Sequence, residues 1–148
     1  MDLSLTEEQQ AFRDLARDFL EREAVPHRMR WDHDESVDLA IVPKMAELGF
    51  FGLTIPERYG GVGGDYVTYS LAMEELGRAD SALRGIVSVS SGLVGKSILD
   101  HGTEEQKQEW LPRLASATAL GCFGLTEPGT GSDAGNLTSR AVRDGSDW

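Results

Sequence analysis

The run CFGLTEPGTGSDAG, Cys122 to Gly135, concentrates residue types that grip ligands, with hydroxyls at Thr126, Thr130 and Ser132 set among glycines. Glycine lets another molecule approach the backbone, and successive exposed N–H groups form a concavity for an anion or the polar edge of a ring. An ordinary turn between strands has the same composition. Within the run, Gly129 to Ala134 matches the dinucleotide fingerprint G-x-G-x-x-G/A. That fingerprint needs a strand leading in and a helix leading out, so that pyrophosphate meets the helix N-terminus. Here Pro128 stands before the first glycine and an alternating segment follows, so the context excludes it. No G-K-[ST] follows any glycine, which excludes a P-loop.

A second candidate lies upstream. Placed on a helix, Arg84, Ser88, Ser91 and Gly95 fall at i, i+4, i+7 and i+11, one narrow face beside an apolar strip of Leu83, Val87, Val94 and Ile98. Such a face is smooth. It admits either a ligand or a neighbouring backbone, and in the second case Arg84 reaches solvent. His27 and His33 lie by the acidic stretch WDHDES, but their spacing fits no standard ligand set. A solvated loop without metal is expected there. Cys122 has no neighbouring His and sits in an apolar run, so a buried strand residue is expected rather than a nucleophile. No residue of the chain reads as catalytic.

The elements that position these residues are mostly helical. Thr6-Glu7-Glu8-Gln9 and Thr103-Glu104-Glu105-Gln106 both fit a capping box, with acids near the positive helix end. After the first, Phe12, Leu15, Ala16, Phe19 and Leu20 recur at helical spacing, and the helix should end before Pro26. After the second, Trp110, Leu111 and Leu114 predict a shorter helix, broken or shifted by Pro112. Between them, PKMAELGF predicts a short helix with Pro43 in its first turn and Gly49 closing it. TIPERYGGVGGD is a loop. Tyr66 to Arg78 is helical, with Tyr66, Tyr69, Met73 and Leu76 on one side, and Asp80 caps a long buried helix closed by Gly102. GIVSVSSG alone would also pass for a strand.

Past Ser116 the texture changes: ALGCFGLTE is apolar without helical period, and NLTSRAVRDGSDW alternates like strands around a turn. The reading is mainly α, with residues 1–117 an all-helical domain and 118–148 the opening strands of a β-barrel-like domain. A sheet fragment of that size cannot bury a core, so the chain reads as truncated or in need of another chain.

Composition bounds the function. The formal net charge of −11, from 25 acidic against 14 basic residues, makes nucleic-acid phosphate an unsuitable partner. No apolar stretch approaches the ~20 residues that span a bilayer. The start MDLSLTEEQQ is polar and acidic, unlike a secretory or transit leader, and a single cysteine suits a reducing compartment. Together these point to the cytoplasm.

The segment LGCFGLTEPGTGSDAGNL resembles the flavin-binding segment of the acyl-CoA dehydrogenase family, whose T-E-P-x-x-G-S-D run is distinctive. GFFGLTIPERYGGVGGD, EELGRADSALR and HGTEEQKQEWLPRLASA are also family-like and in family order, so the resemblance covers nearly the whole chain. It implies FAD as cofactor. By matching position, Phe123 and Leu125 would present backbone to the isoalloxazine, Thr126 would hydrogen-bond its pyrimidine edge, and Gly131 and Ser132 would meet the pyrophosphate. Ser132 would also face the acyl-CoA substrate. LRGIVSVSSGL resembles the glutaryl-CoA dehydrogenase helix whose Arg and Ser bind a distal carboxylate, which implies Arg84 and Ser88 as substrate residues, with Gly85 a departure from the Ser expected there. The implied activity is α,β-dehydrogenation of a short-chain or dicarboxylic acyl-CoA to the trans-2-enoyl-CoA, with electrons passing to an electron-transfer flavoprotein. The family base is a Glu from a later helical domain, so Glu127 is structural and this piece alone is inactive. Complete members assemble as homo-oligomers, usually tetramers. A non-catalytic assembly subunit of the same shape and a flavin oxidase of the same superfamily are the alternatives.

Overall fold

A computed structural model describes residues 4–147. Six α-helices appear in chain order: α1 Glu7–Glu23, α2 Arg28–His33, α3 Ile41–Glu47, α4 Tyr66–Ala79, α5 Ser81–His101 and α6 Glu104–Ala115. Both capping boxes form. The Thr6 hydroxyl accepts from the Gln9 backbone N–H at 3.2 Å while the Gln9 side chain accepts from Thr6 N–H, and Thr103 and Gln106 repeat the exchange. Asp65 starts α4 by accepting from Thr68 N–H at 2.7 Å, and Asp80 starts α5 by accepting from the N–H groups of Ala82 and Leu83. Each cap satisfies donors that the first helical turn leaves without partners.

α1 packs on α4, and α4 on the first turns of α5, around one apolar core. Phe50, from the loop after α3, is fully buried with its ring 6.0 Å from Phe12 and 6.1 Å from Phe19. The chain reaches that position because Gly49 turns it at φ +81°, a conformation that suits glycine. A second cluster of Ile55, Tyr59, Leu111, Leu114 and Ala115 ties the following loop to α6. On α1 the expected stripe holds except at Leu15, which faces solvent.

One buried carboxylate joins the layers. Glu75 of α4 is 1% exposed and accepts from Arg17 of α1 at 2.5 Å and from Arg78 at 3.0 Å. Arg78 also reaches Glu21 at 2.7 Å. The Arg17 hydrogen bond, ahead of the opposing effect of burial, holds the Glu75 carboxyl below the usual carboxylate range.

Four expectations for the helical body change. α6 runs through Pro112, which lies near its C-terminal end and packs against Gly60, so the missing N–H does not break it. The buried face of α4 is Leu71, Ala72, Glu75, Leu76 and Ala79, leaving Tyr66 exposed, because the α1 contact rotates the face toward Glu75. His33 belongs to the short helix α2, with His27 stacked on Trp31 at 5.7 Å, instead of a loop. Finally, α5 is 21 residues long and, by length and composition, is able to cross a membrane. The expectation that no apolar stretch approaches spanning length therefore fails at this helix. Leu83 and Val87 nevertheless lie in the core of the helical body, and a core helix meets the same criteria.

After α6 the chain is extended. Among the described residues the expected strands form no ladder. Two isolated antiparallel bridges, Glu127 with Thr130 and Asp144 with Asp147, close tight turns. A strand is stable only when its backbone groups and one face find neighbours, and among the described residues this segment pairs with no second strand beyond those two bridges.

Candidate functional site

α5 is the central wall. Its middle, Ser88–Gly95, is wound as a wider π-helix, a form that is rare and concentrates at functional sites. The wider winding redistributes the small-residue face expected from α-helical spacing. Ser91 and Gly95 turn inward: Ser91 is buried and donates to the Val87 carbonyl at 2.9 Å, and Gly95 faces Ile55 and Leu114. Ser88, Gly92 and Lys96 turn the other way and line a hollow of about 360 Å³ with Thr54, Tyr66 and Tyr69. Arg84 lies one turn before Ser88, exposed, with its aliphatic stem beside Gly77 and no ion pair to a described residue. Arg84 and Ser88 therefore share a side of α5, while Ser91 and Gly95 do not.

The outgoing chain docks on a different side of the same helix. Gly121 donates its N–H to the Ser90 hydroxyl at 3.1 Å, and its lack of a side chain leaves room for Val94, whose Cβ lies 2.7 Å from where a Cβ would stand. There Val94, Ile98, Trp110, Leu114 and Leu120 bound an apolar groove of about 510 Å³. Beyond Gly121 the side chains of Phe123 and Leu125 are 49% and 42% exposed. Cys122 is exposed too, against the expected burial, since among the described residues no second layer covers the segment.

The glycine loop is held by its own polar groups. Glu127 and Thr130 exchange both backbone hydrogen bonds at 3.0 Å, and the half-turn is closed by the Thr130 hydroxyl donating to the Asn136 carbonyl at 3.2 Å. Glu127 accepts from Thr138 N–H and hydroxyl, both at 2.8 Å, and from Ser139 N–H at 2.9 Å. These bonds, led by those from Ser139 and Thr138, hold its carboxyl down at about 2. A carboxylate so occupied is a weak base. The helix required by a dinucleotide fingerprint is absent after Ala134, where only one 3₁₀ turn, Ala134–Asn136, follows.

What remains free in this loop decides what it can bind. The backbone N–H groups of Phe123, Leu125, Thr126, Gly131 and Ser132, and the hydroxyls of Thr126 and Ser132, donate to no described residue. Around Gly124, Gly129 and Gly131 nothing lies within 4 Å of where a side chain would start. Open donors beside exposed apolar side chains fit a group with a flat ring and a phosphate tail. No hydrogen bond or ion pair joins this loop to Arg84 or Ser88 among the described residues. Sequence reasoning missed Tyr69 and Thr54 as neighbours of Ser88. The glycine at position 92, facing a tyrosine in the preceding helix, was the available signal. No group of three or more His, Cys, Asp or Glu side chains is placed to hold a metal among the described residues.

Residues 6–118 match the family model described as "Acyl-CoA dehydrogenase, N-terminal domain". The mitochondrial short-chain specific acyl-CoA dehydrogenase of Bos taurus is 42% identical over 146 residues, which is 99% of this chain and 35% of that protein. Among solved structures, one described as the electron transferring flavoprotein of Acidaminococcus fermentans superposes with a TM-score of 0.93 at 41% identity, covering 98% of this chain and 38% of that one. A glutaryl-CoA dehydrogenase from Mycobacterium smegmatis in complex with FADH2 gives a TM-score of 0.91 at 40% identity over 97% of this chain and 37% of its own. The chain spans between 35% and 39% of the length of the curated relatives it matches. With the family's helical domain matched over residues 6–118, the chain belongs to the acyl-CoA dehydrogenase family.

Proposed function

We propose that this chain forms the N-terminal, flavin- and substrate-facing part of an FAD-dependent acyl-CoA dehydrogenase that desaturates a short-chain or dicarboxylic acyl-CoA thioester to the trans-2-enoyl-CoA. The observation that carries the reading is the set of unpartnered donors at Phe123, Leu125, Thr126, Gly131 and Ser132, anchored through Gly121 to the helix whose other side bears Arg84 and Ser88. FAD, when bound, supplies the acceptor for the hydride leaving the β-carbon.

This chain's residues bind and orient. The backbones of Phe123 and Leu125 would face the ring, and the Thr126 hydroxyl would donate to its pyrimidine edge, where negative charge grows on reduction. Gly131 and Ser132 would hold the pyrophosphate through N–H groups, with the Ser132 hydroxyl toward the acyl chain. Arg84 would pair bidentately with a distal carboxylate and Ser88 would stand beside it, a task suited to a guanidinium that stays charged. The chain contributes no base, since Glu127 is committed to Thr138 and Ser139. Electrons would leave through an electron-transfer flavoprotein, in the cytoplasm, from a homotetramer.

FAD titration followed by flavin fluorescence tests the reading. Weak quenching that Thr126→Val and Ser132→Ala reduce is expected, with no dye-linked dehydrogenase activity from this chain. Quenching indifferent to both substitutions would overturn the loop assignment, and steady turnover would overturn the absence of a base.

A further inference from the structure

Tyr69 stands out in the hollow beside Ser88. Its ring packs at the edge of the main core and meets Tyr66 edge-on at 6.4 Å. Its hydroxyl makes no hydrogen bond to a described residue. A methyl group placed on Gly92 would lie 2.6 Å from that oxygen, so the bare backbone of the π-helical segment is what seats the phenol. The neighbouring hydroxyl is already engaged, because Ser88 donates to the Gly85 carbonyl at 3.2 Å. Lys96 is engaged as well, paired with Asp100 at 2.6 Å. Positive charge still reaches Tyr69 from Arg84, which opposes the rise that burial imposes on the phenol. A free O–H donor thus shares the hollow with Ser88, within the electrostatic reach of an unpaired guanidinium.

We propose that the Tyr69 hydroxyl, seated over Gly92, is a specificity residue that donates to the anionic far end of the acyl chain beside Arg84 and Ser88. This rests on the reading of α5 as the acyl wall. An uncharged chain end offers no strong acceptor, so the contact discriminates between chains of equal length.

Glutaryl-CoA and pentanoyl-CoA differ at the chain end by a carboxylate, and titrating each into the 148-residue chain, with the Gly92 amide shift as readout, tests the inference. Tyr69→Phe should weaken glutaryl-CoA binding about tenfold and pentanoyl-CoA binding less than about twofold. In the unsubstituted chain, the ring-carbon shifts of labelled Tyr69 should move with glutaryl-CoA and stay with pentanoyl-CoA, a readout independent of how the variant folds. Loss of glutaryl-CoA affinity in Arg84→Met but not in Tyr69→Phe would overturn the role of Tyr69 and leave the wall standing. Equal weakening of both ligands by Tyr69→Phe would reduce Tyr69 to packing. Silence of the Gly92 amide toward both ligands would overturn the wall and the inference with it.

Discussion

Phe50 and Phe123 are the same side chain in two settings. Phe50 is 0% exposed between Phe12 and Phe19, and Phe123 is 49% exposed on the extended chain after α6. The helical body covers its apolar faces because α1, α4 and α5 bring theirs together. The extended tail braces itself locally only through Glu127 and Thr130, and leaves both its apolar side chains and the donors of Phe123, Leu125, Thr126, Gly131 and Ser132 open. Burial in the body serves stability, and exposure in the tail marks the surface offered to something else.

The contrast is sharpest under truncation. Phe50→Ala should cost about 3–5 kcal/mol in urea denaturation, since it opens a cavity between the rings of Phe12 and Phe19. If it costs no more than a surface change, the body is not the stable unit.

Glu75→Gln comes next. It removes a buried charge and leaves Arg17 and Arg78 partly unpaired, and because both arginines are half open to water the cost should be about 1–2 kcal/mol. The pH dependence has a definite sign. The folded carboxyl titrates below the unfolded value of about 4.3, so its contribution is complete above that pH and fades as pH falls through the lower folded value. Glu75→Gln should therefore flatten the acid limb of stability between pH about 4 and below. An unchanged acid limb would assign acid sensitivity elsewhere.

Tail substitutions should move far less. Phe123→Ser should change the unfolding free energy in urea by less than about 0.5 kcal/mol while weakening FAD binding. A large loss of stability would mean the tail is part of the core. Glu127→Gln should leave the thermal melt unmoved and shift only the Thr138 and Ser139 amides. In the unsubstituted chain those amides should keep their position down to low pH and move as pH falls through about 2. A midpoint near the ordinary carboxylate value would show that the loop does not grip Glu127.

Much of the helical body is legible in sequence because its signals are local. Thr6, Asp80 and Thr103 act within three residues of themselves, and Gly49 declares its turn. The buried face of α4 is not local, since Glu75 turns inward only because Arg17 of another helix meets it. The small-residue face on α5 failed for a different reason: α-helical spacing was assumed where the backbone winds wider, so Ser88 and Ser91 part company. At the loop, the donors from Phe123 to Ser132 were visible as types. That Thr130 and Glu127 are internal braces required coordinates.

The wide turns between Ser88 and Gly95 divide α5 into two stretches that keep separate angular bookkeeping. Loss of one residue inside that interval can be absorbed by tightening to ordinary winding, which leaves Ile98 and His101 aimed as before. The same loss among residues 85–87 has no slack to draw on and would swing Arg84 away from Ser88. The interval is thus where α5 best tolerates a change of length.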